Sequence, residues 1–185
     1  MKIFIAGTVN KNINKKYIEG IRELSVKLLE DNHDIICVGA KTGAIGEVYN
    51  HYIKNNGHVD IIVPVPYAHE ADGMKANSRT IVDTLFVLQQ IALRNTNATI
   101  VLPGGNGTLA ELYMITDSKQ SNFDNDIVIV YNVNGFYNKI KEMNDFLLEN
   151  GCLTKEQYNY FTFCNTADEV ISELNKWNKK INKKK

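Results

Sequence analysis

One ten-residue string carries most of the chemistry: Leu102-Pro103-Gly104-Gly105-Asn106-Gly107-Thr108-Leu109-Ala110-Glu111. It follows an apolar run and opens a helical pattern. Glycines in that place let backbone N–H groups come close to a ligand at the positive end of a helix dipole, which is how a helix start holds a phosphate. Thr108 adds a hydroxyl donor, and Glu111 falls in what the spacing reads as the first turn of the helix, where the dipole favours its ionised form. A carboxylate beside an anion cradle suits a ligand that also carries ribose hydroxyls or develops positive charge. Thr108 and Glu111 also have the TxxE spacing of a capping box, so a purely structural reading of that pair stays open.

The other candidates are dispersed. There are three arginines, Arg22, Arg79 and Arg94. Arg79 follows Asn77-Ser78 at the predicted entry of a helix that Ser78 would cap, and it is weighed as a site residue against an ordinary surface role. Arg94 at the far end of that helix reads as a complement to the helix dipole. Asp83, one turn into the same predicted helix, serves either a leaving group or a cap. His33, His51 and His58 lack metal spacing and read as solvent-exposed, and no metal site is expected. His69, with Glu70 and Asp72, sits in a long loop after Pro66 expected to cover the site, where Tyr67 would stack on a base or simply pack. Cys37, Cys152 and Cys164 are odd in number and far apart, which disfavours a disulfide framework and a zinc site and fits structural thiols in a reducing cytoplasm.

These residues need a scaffold, and the apolar pattern supplies one. Short apolar runs at Lys2–Gly7, Ile35–Val38, Val59–Pro64, Ala98–Leu102 and Ile127–Tyr131 alternate with helical periodicity near residues 14–32, 44–56, 79–95, from 107 onward and 136–149. That order predicts an α/β fold, a doubly wound, Rossmann-like, mostly parallel sheet with helices on both faces and ligands at the carboxyl ends of the strands. Residues 1–178 form one expected nucleotide-binding domain. Residues 179–185 are a basic tail, read as a frayed terminus or a binding arm.

The chain has 185 residues with 21 basic and 21 acidic side chains, so its formal net charge is zero. A neutral chain lacks the basic excess that nucleic acid or an anionic membrane surface demands, and neither partner is expected. Any anion must be met by local geometry. No apolar run reaches the roughly 18 residues of a membrane span, and the expected location is cytoplasmic.

The ProGlyGly-x-GlyThr-x-x-Glu string resembles the signature of the LONELY GUY (LOG) family of cytokinin riboside 5′-monophosphate phosphoribohydrolases, often labelled lysine decarboxylase-like. Ile5-Ala6-Gly7-Thr8 is similar to the family's first strand and turn, Val38–Gly46 lies where the family has its triple glycine and GlyLeuMetGly, and Asn132–Tyr137 resembles its AsnValAspGlyTyrTyr turn. The resemblance implies a doubly wound fold, usually dimeric, that hydrolyses the N-glycosidic bond of a nucleoside 5′-monophosphate to free base and ribose 5-phosphate without metal or organic cofactor. It implies Gly104, Gly105, Gly107 and Thr108 at the phosphate, with Asn106 in the same turn, and Glu111 as the catalytic carboxylate; Arg79 is taken as the catalytic arginine that would stand in for the family's own, and Gly7, Thr8, Gly39, Thr42, Gly43 and Asp83 are placed on the ribose and base side.

No lysine stands in a matching context for pyridoxal, so decarboxylation is not expected. The triple glycine reads Val38-Gly39-Ala40 here, and an ungapped match puts Leu88-Gln89 on the family's Arg-Lys pair; an insertion would instead put Arg79-Thr80 there. An arginine's planar fork of donors has no counterpart in leucine or glutamine. Three functions therefore stay open: the phosphoribohydrolase, with N6-substituted AMP as one substrate, a non-catalytic carrier of a nucleotide derivative that kept the phosphate cradle, and a deoxyribosyl transferase or hydrolase.

Overall fold

From Ile3 to Ala6 every side chain is buried, and Lys2–Ala6 forms the central strand β1. A strand buried on both faces needs helices above and below, which the alternating pattern provides. The computed structural model describes residues 1–121 and 126–183. After β1 come α1 (Lys15–Glu30), β2 (Asp34–Val38), α2 (Gly43–Lys54) and β3 (Val59–Pro64). A 3₁₀ segment over Val65–Ala71 then leads to β4 (Ser78–Val82), α3 (Leu85–Arg94), β5 (Ala98–Val101), α4 (Asn106–Gln120) and β6 (Ile127–Tyr131). The chain continues through a 3₁₀ turn at Val133–Gly135, α5 (Asn138–Glu149), α6 (Lys155–Tyr158), β7 (Thr162–Cys164) and α7 (Ala167–Asn182).

The described residues form a seven-stranded sheet in the order β4-β3-β2-β1-β5-β6-β7, with every pairing parallel. The chain starts in the middle, winds outward to β4, then returns to the other side of β1 as β5. That reversal places the topological switch point between β1 and β5, where doubly wound sheets open a crevice. Apolar faces of α1, α2 and α7 (Ile21, Leu24, Val48, Leu174) cover one side of the sheet. Leu88 of α3, Leu112 and Ile115 of α4 and the α5 end cover the other. The α/β, doubly wound expectation is met, with a sheet that is parallel throughout.

Three local expectations are corrected. The segment from Arg79 begins as an edge strand: Thr80, Ile81 and Val82 are β-branched in succession, and β4 pairs with β3 in the register Ile61↔Arg79. The helix starts only at Leu85, where the Thr84 hydroxyl accepts from the Val87 N–H at 3.2 Å. Ser78 therefore caps nothing; its hydroxyl donates to Asp60 Oδ1 at 2.6 Å, and Asp83 lies in the bend before α3. The basic tail stays helical as far as Asn182, and Lys184 and Lys185 lie outside the described residues. His33, expected at the surface, is only 4% exposed, with its Nδ1 3.3 Å from the Met1 amino group.

Candidate functional site

The switch point is closed at its base by two backbone bonds, Leu102 N–H to Ala6 O at 2.8 Å and Thr8 N–H to Pro103 O at 3.1 Å. Glycine is required where the loops meet. A Cβ on Gly7 would stand 3.0 Å from Leu102 Cβ, and Gly43, at φ +71°, leaves a Cβ only 2.4 Å from Thr8 O. The Thr42 hydroxyl donates to Val9 O at 2.7 Å. Gly7, Thr8, Thr42 and Gly43 thus converge, and what joins them is the packing of the loop after β1. Gly39 is covered by the 3₁₀ segment, because a Cβ there would meet Ala71 Cβ at 2.6 Å. Asp83 is distant from all of them, at the β4 edge of the sheet.

On the β5 side, Gly105 is the N-cap of α4 and offers no side-chain cap, so the first amides of the helix are left for another acceptor. A Cβ added at Gly105 or Gly107 would have nothing within 4 Å, whereas at Gly104 it would fall 2.1 Å from Thr108 Oγ1. The turn therefore has an open lip at Gly105–Gly107 and a packed root at Gly104, over which the buried Thr108 side chain lies. Asn106 is the first helical residue, so Thr108 is third and Glu111 sixth. Glu111 sits in the second turn, and the capping box is not formed.

Glu111 is partly buried and has no hydrogen-bond or ion-pair partner among the described residues. Burial alone pushes its carboxyl up to about 7. Beside it lies Tyr137, buried at 1% exposure, whose hydroxyl donates to Leu102 O at 2.7 Å and is also held by the Gly104 backbone. Asn132 Oδ1 accepts from the Tyr137 N–H at 2.6 Å. Tyr137 is the residue that sequence reasoning leaves out of the site, although it closes the Asn132–Tyr137 string that carries part of the family resemblance.

The structure does not bring Arg79 to Glu111. Arg79 shares its sheet face with its register partner Ile61, whose core is built with α1 and α2, while α4 packs on the opposite face. Four inter-strand steps separate β4 from β5, about 19 Å. The Arg79 guanidinium is already held by Ala68 O at 2.7 Å and Asp72 Oδ1 at 3.1 Å. Arg22 pairs with Glu47 at 2.7 Å, and Arg94 lies in the last turn of α3. Leu88 and Gln89 are buried, at 0% and 5% exposure. His69, Glu70 and Tyr67 belong to the 3₁₀ segment over the end of β2 and stay clear of the glycine turn. Among the described residues no group of three metal-ligating side chains is close enough to hold an ion.

A crevice of about 360 Å³ opens between the loop after β1 and the glycine turn, bordered by Thr8, Asn10, Asn14, Tyr17, Gly104 and Gly105. A larger cavity of about 1040 Å³ lies on the far side of that loop, against α1 and α2, and takes in Thr42 and Gly43. Gly104 and Gly105 line the crevice and not the larger space, so the crevice is the one the turn serves; Glu111 lines neither and stands behind the turn, beside Tyr137.

The family model described as possible lysine decarboxylase matches residues 45–174, most of the chain and all of the glycine turn. The chain belongs to that family. Within the family known as possible lysine decarboxylase, it is 27% identical over 153 residues to a probable cytokinin riboside 5′-monophosphate phosphoribohydrolase of Oryza sativa subsp. japonica, covering 82% of this chain and 66% of that one. It is 24% identical over 159 residues to a cytokinin riboside 5′-monophosphate phosphoribohydrolase of Arabidopsis thaliana, covering 85% of this chain and 75% of the relative. The chain spans about two thirds of the length of the rice protein. Among solved structures, the Moco carrier protein from Chlamydomonas reinhardtii superposes with a TM-score of 0.70 over 97% of this chain and 98% of its own, at 13% identity, a likeness of fold alone. Despite the family's label, no lysine lines the crevice.

Proposed function

We propose that this chain hydrolyses the N-glycosidic bond of a nucleoside 5′-monophosphate to free base and ribose 5-phosphate, with N6-substituted AMP among its substrates. The observation that carries this reading is Glu111, a partly buried carboxyl without a protein partner among the described residues, next to an uncapped helix start. The open lip at Gly105–Gly107 takes the 5′-phosphate on the first amides of α4, and Asn106 stands in the same turn. Binding energy from that remote group holds the anomeric carbon near Glu111. As the C1′–N bond breaks, its electron pair leaves with the base and positive charge develops on the ribosyl ring, which ionised Glu111 stabilises. Water then adds to C1′, a carboxyl with a pKa near 7 is matched to accept its proton, and passing that proton to the departed base nitrogen gives neutral base and returns Glu111 to its ionised form.

A second reading, a carrier that binds a nucleotide derivative without turning it over, is favoured by one observation. Arg22 and Arg79 are paired elsewhere, Arg94 lies in the last turn of α3, and none of the three lines the crevice, so the phosphate meets amides and no guanidinium from this chain. Incubating purified protein with AMP, GMP, CMP and N6-substituted AMP, and assaying free base and ribose 5-phosphate, separates the two. Product that vanishes in Glu111→Ala supports hydrolysis; tight binding without product supports the carrier.

The proposed assembly is a homodimer. Leu85 and Phe86 at the start of α3 are 57% and 67% exposed, beside Ile81 of the unpaired β4 edge at 54%, and a second copy would cover this apolar face. Light scattering showing a dimer that Phe86→Glu splits supports it, and a monomer at micromolar concentration overturns it. No helix among the described residues is long and apolar enough to cross a membrane.

A further inference from the structure

The glycine turn accounts for a phosphate and leaves the base unassigned. Of the residues expected on the base side, Thr8 borders the crevice, whereas Thr42 and Gly43 line the other cavity, Gly39 lies under Ala71, and Asp83 and Tyr67 belong to the end of the sheet away from β5. The crevice itself ends differently. Besides Gly104 and Gly105, its lining includes Tyr17 from α1 and Phe136 from the turn before α5.

We propose that Tyr17 and Phe136 form the base-recognising end of the crevice and that its ligand is a 5′-phosphorylated nucleoside with a planar heteroaromatic base. This rests on the phosphate reading of the glycine turn. The two rings meet edge to face, with centroids 5.0 Å apart at 90°, so the pair leaves ring surface unspent toward the crevice. Phe136 is braced behind by Tyr137 at 4.7 Å and 81°, which connects the aromatic wall to the side chain that pins the turn. Lys16 Nζ lies 4.8 Å over the Tyr17 ring and takes one of its faces, so stacking falls on what remains of Tyr17 and on Phe136.

Both rings are partly exposed, as a stacking platform must be. A volume of about 360 Å³ lies at the small end of ligand pockets, the scale of a mononucleotide. Stacking accepts any base because every base has a π-face. Discrimination then belongs to polar groups at the rim, and two are uncommitted: the Tyr17 hydroxyl and the Asn12 side-chain amide make no hydrogen bond among the described residues.

The test measures binding by calorimetry with ribose 5-phosphate and with the carbocyclic analogue of AMP, whose base cannot be released. The wild-type chain is expected to bind the analogue at least tenfold more tightly than ribose 5-phosphate. Tyr17→Ala and Phe136→Leu should each weaken the analogue at least fivefold and leave ribose 5-phosphate within twofold, while Tyr17→Phe keeps the stacking. Asn12→Ala, at an exposed loop position, tests the rim without touching the core, and should change the ratio of AMP to CMP analogue affinity. The inference is overturned if the advantage of the analogue survives both ring variants, or if both ligands weaken together. If ribose 5-phosphate does not bind the wild-type chain, the phosphate reading fails first and takes this one with it.

Discussion

The Tyr137 hydroxyl donates to the Leu102 carbonyl at 2.7 Å, directly beneath the glycine turn. Leu102 is fully buried, so without this donor its carbonyl would have to be satisfied elsewhere. The same phenol contacts the Gly104 backbone and lies near enough to Glu111 for the carboxylate to raise its pKa further, in addition to the effect of burial. One side chain therefore sets the height of the phosphate turn and borders the carboxyl that would do the chemistry.

Tyr137→Phe keeps the ring and removes the donor. The expected cost is about 1–2 kcal/mol of stability, read by denaturant unfolding, because a buried acceptor loses its partner. Inorganic phosphate should bind several-fold more weakly, since the turn that presents the amides is no longer pinned. Unchanged stability and phosphate affinity would show that the turn holds its own shape.

Gly104 and Gly105 are neighbours with opposite demands. Gly104→Ala drives a methyl into Thr108 at a 2.1 Å approach, so the protein should lose several degrees of Tm. Gly105→Ala meets open space at φ −96°, an ordinary conformation, and should leave Tm unchanged while weakening phosphate binding by filling the lip. Calorimetry on both variants checks the contrast; a destabilised Gly105→Ala would contradict it.

Glu111→Gln separates stability from activity. Burial raises the folded-state pKa to about 7 from an ordinary 4.5, so the folded form prefers the protonated carboxyl. Its contribution is fully present below about pH 4.5 and is lost as pH rises through 7. Glutamine does not titrate, so the variant should match the wild type at pH 4 and exceed it by up to roughly 2–3 kcal/mol at pH 8, less whatever solvent access screens. Wild-type turnover should climb through pH 7 as the carboxylate forms, and the variant should be inactive throughout. A wild-type rate that falls across that interval would remove Glu111 from the role of anion.

The elements around this site differ in how openly the sequence states them. The strands β1, β2, β3, β5 and β6 are buried apolar runs that can be read directly; so can the turn from Leu102 to Glu111. Ser78–Val82 cannot, because an edge strand with only Val82 buried has no alternation to show, and its tail merges with the helical pattern of α3. The three residues of β7 are too few to make a pattern. Distance along the chain puts Arg79 at a helix entry, but its position is decided by pairing with β3, which no local spacing encodes. Tyr17 and Phe136 are far apart in sequence and meet only because α1 and α5 start at the same end of the sheet.

Arg79→Ala should leave turnover within twofold of wild type, since its guanidinium is held on the other face of the sheet from α4. What it should loosen is the segment Val65–Ala71, through loss of the bonds to Ala68 O and Asp72. Limited proteolysis would show faster cleavage there. A tenfold fall in turnover would instead mean that Arg79 reaches the site in an assembly.

The family's Arg-Lys pair cannot be restored by substitution alone. Leu88 is fully buried in the core that α3 shares with α4, and Gln89 is 5% exposed. Leu88→Arg would put an unpaired cation among Val101, Leu112 and Ile115 and leave a leucine-shaped space that a guanidinium cannot fill. The double variant Leu88→Arg, Gln89→Lys should therefore lose at least about 3 kcal/mol, or fail to fold, and gain no phosphoribohydrolase activity. Circular dichroism melts and the product assay check both halves. A folded double variant with raised turnover would mean that α3 can rotate its buried face toward the crevice, and that the arginine's absence limits the rate in this chain.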